Sequence, residues 1–253
     1  MYYVYKYKKI KLNIELLTVI VINLLSLQLS AFLFGKNNEL TIKGALTYTL
    51  PLIIIFFSIR ILSVKIGYKN LKNTLKSFFR DGRYLILIMV IFFLINLGSI
   101  SSDKLDGFQI RNVFFFLLTC FFTGVFEELL FRGIVLTRLS SIYSPRVSVT
   151  ISSIFFGIVH LLNLIDQPWL IKGTLTQVFY TFCLGMILGT IYSKRNNIFT
   201  IILLHASFNF FGSFSQVFTC NISLVKQDSS MIEILIPIIL IVPSTILSLK
   251  KMH

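Results

Sequence analysis

Acidic side chains are scarce in this chain: 10 Asp and Glu stand against 24 Lys and Arg over 253 residues. All charged residues together make up 13%, about half the share in a soluble globular domain, which excludes that class. Cysteine is scarce as well. Cys120, Cys183 and Cys220 are an odd, scattered set with no Cys-x-x-Cys spacing, so there is no disulfide framework and no thiol metal or redox motif. His-Glu-x-x-His is absent too. The apolar stretches are continuous and do not alternate, which excludes a closed β-barrel. No internal repeat, low-complexity run or hinge-like linker divides the chain, and residues 1–253 read as one membrane domain.

What is present is apolar surface. Hydrophobic residues make up 55% of the chain and mean hydropathy is +0.83. About twenty apolar residues cross a bilayer core. That measure predicts an all-α polytopic membrane bundle of eight helices: Leu16–Phe34, Gly44–Val64, Tyr84–Ile100, Val113–Leu139, Val147–Leu164, Thr174–Tyr192, Ile198–Phe218 and Ile232–Ser248. Lys6, Lys8, Lys9 and Lys11 precede the first apolar run, which is long enough to span and lacks a clean cleavage site, so it reads as an uncleaved helix.

The net charge of +14 invites a nucleic-acid reading, but the basic residues sit beside apolar spans, as a membrane protein's topology requires. Alternating the segments from a cytoplasmic N-terminus places 16 Lys and Arg inside and 6 outside (Lys36, Lys43, Lys104, Arg111, Lys172 and Lys226), with Arg60 and Arg132 in the spans. That asymmetry puts both termini in the cytoplasm of a cell-membrane protein and sets nucleic acid aside as a partner. Between the second and third spans, Lys65, Lys69, Lys72, Lys76 and Arg80 recur every three or four residues opposite Ile66, Leu71, Leu75, Phe78 and Phe79. This reads as a basic amphipathic helix on an anionic inner leaflet, or as a site for a partner protein.

Ionisable groups inside spans cost roughly 2.5–3.5 kcal/mol each and mark function by default. Glu127 and Glu128 lie in the fourth span, His160 in the fifth, and His205 and Asn209 in the seventh. At a rise of about 1.5 Å per residue all of them fall in one slab of the bilayer. His205 and Asn209 share a helix face, as do His160 and Asn163. Glu128 and Arg132 have the spacing of an intrahelical ion pair, which leaves Glu127 as the acid free for chemistry. A glutamate in an apolar bundle is poorly solvated as an anion, which suits a general base. An Asn amide and a His can both donate to a developing oxyanion, worth about 3–4 kcal/mol per donor. Glu127, His160 and His205 could alternatively ligate zinc, and no cofactor is the preferred reading. Thr181, Gly185 and Gly189 in the sixth span read as a close-packing stripe. Asn163 and the loop from Asp166 to Trp169 read as packing or connecting residues.

The set Glu-Glu-x-x-x-Arg (Glu127, Glu128, Arg132), Phe-x-x-x-His (Phe156, His160) and His-x-x-x-Asn (His205, Asn209), in that order from Val113 to Gly212, resembles the CPBP family. Its members are also called CAAX proteases, bacteriocin-processing enzymes or the abortive-infection family. The resemblance implies an intramembrane endopeptidase whose core is residues 113–212. It implies Glu127 as activator of the attacking water, assisted by His160, with His205 and Asn209 on the oxyanion and Glu128 and Arg132 in support. The substrate would be a peptide or membrane protein, and bacterial relatives point to bacteriocin self-immunity or peptide maturation. A non-catalytic immunity or scaffold protein is the alternative from another class. A proton-coupled transporter ranks lower, because inverted repeats are missing.

Overall fold

A computed structural model of the chain describes residues 2–34, 40–98, 100, 108–218 and 231–250. Among the described residues every regular element is a helix. α1 (Tyr2–Phe34) is followed by α2 (Ile42–Leu46), α3 (Thr49–Ile61), α4 (Leu71–Asp81) and α5 (Arg83–Gly98). α6 (Ile110–Glu128) continues through a π-helical stretch (Leu129–Leu136) into α7 (Thr137–Leu139). α8 (Pro145–Ile158) tightens into a 3-10 turn (Val159–Leu162) and the short α9 (Asn163–Asp166). α10 (Ile171–Arg195), α11 (Ile198–Gly212), a 3-10 turn (Phe214–Phe218) and α12 (Met231–Lys250) complete the order.

Among the described residues five helical segments are long and apolar enough to cross a membrane: Ile10–Phe34, Ile42–Ile61, Ile110–Leu139, Pro145–Ile165 and Ile171–Arg195. Arg83–Gly98, Ile198–Gly212 and Leu235–Lys250 are shorter apolar helices. The chain is a multi-pass protein of the cell membrane. Every expected span lies on helix, with shifted bounds. The first begins at Tyr2, because no helix breaker stands between the basic start and the apolar run. The second is divided at Thr47–Tyr48, the fifth changes pitch at Val159, and the seventh stops at Gly212, where Ser213 leaves helical geometry. Lys36, Glu39, Asp103, Lys104, Asp106, Cys220, Lys226 and Asp228 lie outside the described residues.

The fourth span divides the core. On one side Phe126, Leu130, Phe131, Ile134 and Val135 pack with Leu12, Leu16 and Ile20 of α1 and Ile55 of α3. On the other, Leu136 joins Leu184 and Leu188 of α10 and Ile201 and Leu204 of α11. Burying one such side chain contributes about 1.5–3 kcal/mol against water. In lipid that drive is absent between spans, and close packing takes over. Small residues permit it. A Cβ on Gly157 would stand 2.8 Å from the Val178 carbonyl, and Gly185 and Gly189 face Ser153 and Val149 at 3.0 Å. The Gly185–Gly189 stripe therefore draws α10 onto α8.

α4 lies between two spans and is fastened to the α10–α11 connection. α10 ends on Asn196, which takes the left-handed conformation at φ 48°, a position asparagine tolerates. Asn197 then donates to the Thr74 hydroxyl at 3.0 Å and accepts from the Lys69 amide at 3.2 Å. Asp81 accepts two hydrogen bonds from Arg195, both at 2.9 Å, and one from Ser77 at 2.8 Å. Burial alone would push the Asp81 carboxyl up, but the hydrogen bonds from Arg195, Arg80 and Ser77 and the Arg195 charge together hold it down at about 2. Arg195 and the basic α4 segment thus lie together at one end of the bundle.

Candidate active site

The fourth span changes geometry where its carboxylates end. The wider π turns begin at Leu129, directly after Glu127 and Glu128, and contain Arg132. The Thr137 hydroxyl reaches back to the Arg132 carbonyl at 3.0 Å, and Ser152 of α8 donates to the Phe131 carbonyl at 2.8 Å. Side chains thus satisfy carbonyls that irregular turns leave exposed, which a span in lipid needs. Such π interruptions occur frequently at functional sites.

Glu128 is fully buried. Its Oε1 accepts from Arg132 Nη1 at 2.8 Å and from His205 Nδ1 at 2.8 Å. Arg132 is 1% exposed, with its guanidinium 4.5 Å over the Phe156 ring. A buried charge with this pairing is tolerated; unpaired it would be costly. Glu127, its side chain 18% exposed, places Oε2 3.4 Å from His205 Nε2. The His205 ring therefore stands between the two glutamates, one at each nitrogen.

Hydrogen-bond geometry fixes proton positions. A carboxylate only accepts, so His205 Nδ1 carries the proton given to Glu128. His160 Nδ1 donates to the Phe156 carbonyl at 2.8 Å, which leaves its Nε2 as an acceptor. Phe156 is the common wall: its ring meets His160 at 5.4 Å and His205 at 5.6 Å, both edge to face.

Asn209 is placed differently. One turn beyond His205, it lines a cavity of about 130 Å³ with Phe92, Tyr180, Phe208, Ser213 and Ile241. Tyr180 links the two places, because its hydroxyl sits beside the Gln177 amide and within electrostatic reach of Glu127. Sequence reasoning passed over Tyr180 and Gln177, though a glutamine within an apolar run was a visible signal. Asn163 donates to Gln177 at 2.8 Å and is exposed. Among the described residues no three His, Cys, Asp or Glu side chains are grouped to hold a metal ion. His205 has Glu128 at Nδ1 and Glu127 at Nε2.

A helical multi-pass membrane protein with a buried acid–imidazole cluster at a π-helical interruption is the class that fold and site define. Residues 109–211 match the family model described as type II CAAX prenyl endopeptidase Rce1-like. The chain is also similar to the UPF0177 protein YxdF of Lactococcus lactis subsp. lactis, 32% identical over 182 residues, which is 65% of this chain and 90% of that protein. The chain belongs to the Rce1-like CAAX protease family, and its general class is that of a CAAX-type intramembrane protease.

Proposed function

We propose that the protein is an intramembrane endopeptidase that hydrolyses a peptide bond with a water activated by Glu127. The observation that carries this reading is the unequal setting of the two carboxylates. Glu128 is tied to Arg132 and His205, whereas Glu127 keeps partial exposure and only a 3.4 Å approach to His205. Glu127 takes one proton from water as the oxygen attacks the carbonyl carbon, and His160 Nε2 accepts a hydrogen bond from the other. The carbonyl oxygen becomes an oxyanion that accepts hydrogen bonds from a His205 protonated at Nε2 and from the amide of Asn209. Collapse breaks the C–N bond, and the proton held by Glu127 passes to the leaving amine. Glu128 and Arg132 fix the tautomer and orientation of His205 without touching substrate.

The substrate we propose is a small peptide or a membrane-protein segment, processed in bacteriocin self-immunity or peptide maturation, as the family resemblance implies. The test uses the purified full-length protein and a candidate peptide, comparing wild type, Glu127→Gln and chelator-treated samples. Cleavage should fall about a thousandfold or more in Glu127→Gln, the scale of losing an essential base, and survive the chelator. Chelator inhibition reversed by zinc would replace this mechanism with a metal-dependent one. Producer-cell immunity that survives Glu127→Ala would favour a non-catalytic immunity or scaffold role.

A further inference from the structure

α4 has two faces, and they are used in an unexpected way. Its small polar face, Thr74 and Ser77, is buried against the protein. Its apolar stripe, Leu71, Leu75 and Phe79, is 71%, 42% and 64% exposed. These three residues are four apart and form one ridge on the outside of the bundle. Phe78 turns inward onto the core with Ile66, so the amphipathic set read from sequence is split between protein and surroundings. Exposed Lys69, Lys72, Lys76, Arg80 and Arg83 flank the ridge.

We propose that α4 is an in-plane helix that binds anionic phospholipid and thereby sets the position of the α11 residues in the site. An apolar ridge bordered by cations matches acyl chains below a negative headgroup layer. A soluble acidic protein would satisfy the lysines but leave the ridge in water.

The link to the site is short and stiff. Gly82, which ends α4, lies so close to Leu204 that a Cβ there would overlap its side chain, and Leu204 precedes His205. Asn197, the residue before α11, donates to the Thr74 and Thr200 hydroxyls, while the Thr200 hydroxyl donates to the Thr74 carbonyl at 3.4 Å. Gly67 receives the Ile198 amide at 2.9 Å and packs on Asn196 with no room for a Cβ. A displacement of α4 towards the headgroups therefore acts on α11 at its first turns. The activity consequence rests on the proposed role of His205; the lipid site does not.

The experiment titrates the detergent-solubilised full-length protein with short-chain phosphatidylglycerol or phosphatidylcholine and reads amide hydrogen exchange over residues 69–81 and 196–205. Phosphatidylglycerol should slow both segments saturably, and phosphatidylcholine neither. In the Lys69→Gln, Lys72→Gln, Lys76→Gln triple variant the half-saturating concentration should rise about a hundredfold, roughly fivefold per lysine. In Thr74→Val, protection of 69–81 should persist and that of 196–205 should weaken. Equal responses to both lipids, or a triple variant that binds like wild type, would overturn the proposal and leave the basic face to a protein partner. Thr74→Val with undiminished protection of 196–205 would overturn the coupling. Peptide cleavage is read in parallel. A protein that binds phosphatidylglycerol as described but cleaves nothing would count against the protease reading alone.

Discussion

Glu128 and Arg132 show how much of a site can be read four residues at a time. Their spacing fixes an intrahelical pair, and the structure has it at 2.8 Å. What spacing cannot supply is the third partner, because His205 is 77 positions away and arrives by tertiary packing. The same limit hid Tyr180, whose relation to Glu127 depends on how α10 crosses α6. The buried triad makes a test of position against chemistry. Glu128→Ala leaves Arg132 charged and unpaired at 1% exposure, which should cost about 3–5 kcal/mol. Thermal unfolding in detergent should show this as a large fall in midpoint. A Glu128→Leu, Arg132→Met double variant should recover most of that stability while peptide cleavage stays impaired, because His205 loses the acceptor that orients it. A double variant no more stable than Glu128→Ala would show that the pair is not the source of the cost.

At the scale of elements, the all-helical, apolar character was legible and the internal geometry of the helices was not. Leu129–Leu136 has the composition of an ordinary apolar helix, so nothing in its hydropathy marks the π turns. What accommodates them is tertiary: Ser152 of a neighbouring helix donates to the Phe131 carbonyl. α4 was legible as amphipathic, yet its orientation was not, because apolar periodicity does not say whether a ridge meets protein or lipid. The tie between α4 and α10 through Asp81 can be measured on its own. A carboxyl drawn from 3.8 to about 2 is worth up to about 2 kcal/mol, and screening around the half-exposed arginines brings this near 1 kcal/mol. Because the folded value is depressed, the contribution is complete above about pH 4, shrinks as pH falls, and is gone below about pH 2. Asp81→Asn should therefore unfold earlier than wild type by a margin that is constant from pH 8 to about 4 and closes below that. A margin that widened on acidification would mean that Asp81 is not stabilised by its arginines.

For the molecule as a whole, the family-matched region is shorter than the set of helices packed around it. The family match ends at residue 211 and begins at 109, so α1 to α5 and α12 lie outside it. Yet Phe126, Leu130, Phe131 and Ile134, none more than 2% exposed, are covered in part by Leu12, Leu16 and Ile55. On the opposite flank Leu85, Ile88 and Met89 of α5 and Ile241 of α12 complete the core around α10 and α11. A 109–211 fragment would expose both flanks of the fourth span and lose the Gly82 seat of Leu204. In detergent it should elute as heterogeneous oligomers without a cooperative thermal transition, where the full chain gives one species and one transition. A monodisperse fragment with its own sharp unfolding would show that α1 to α5 form a separate unit, and one membrane domain over residues 1–253 would no longer describe the protein.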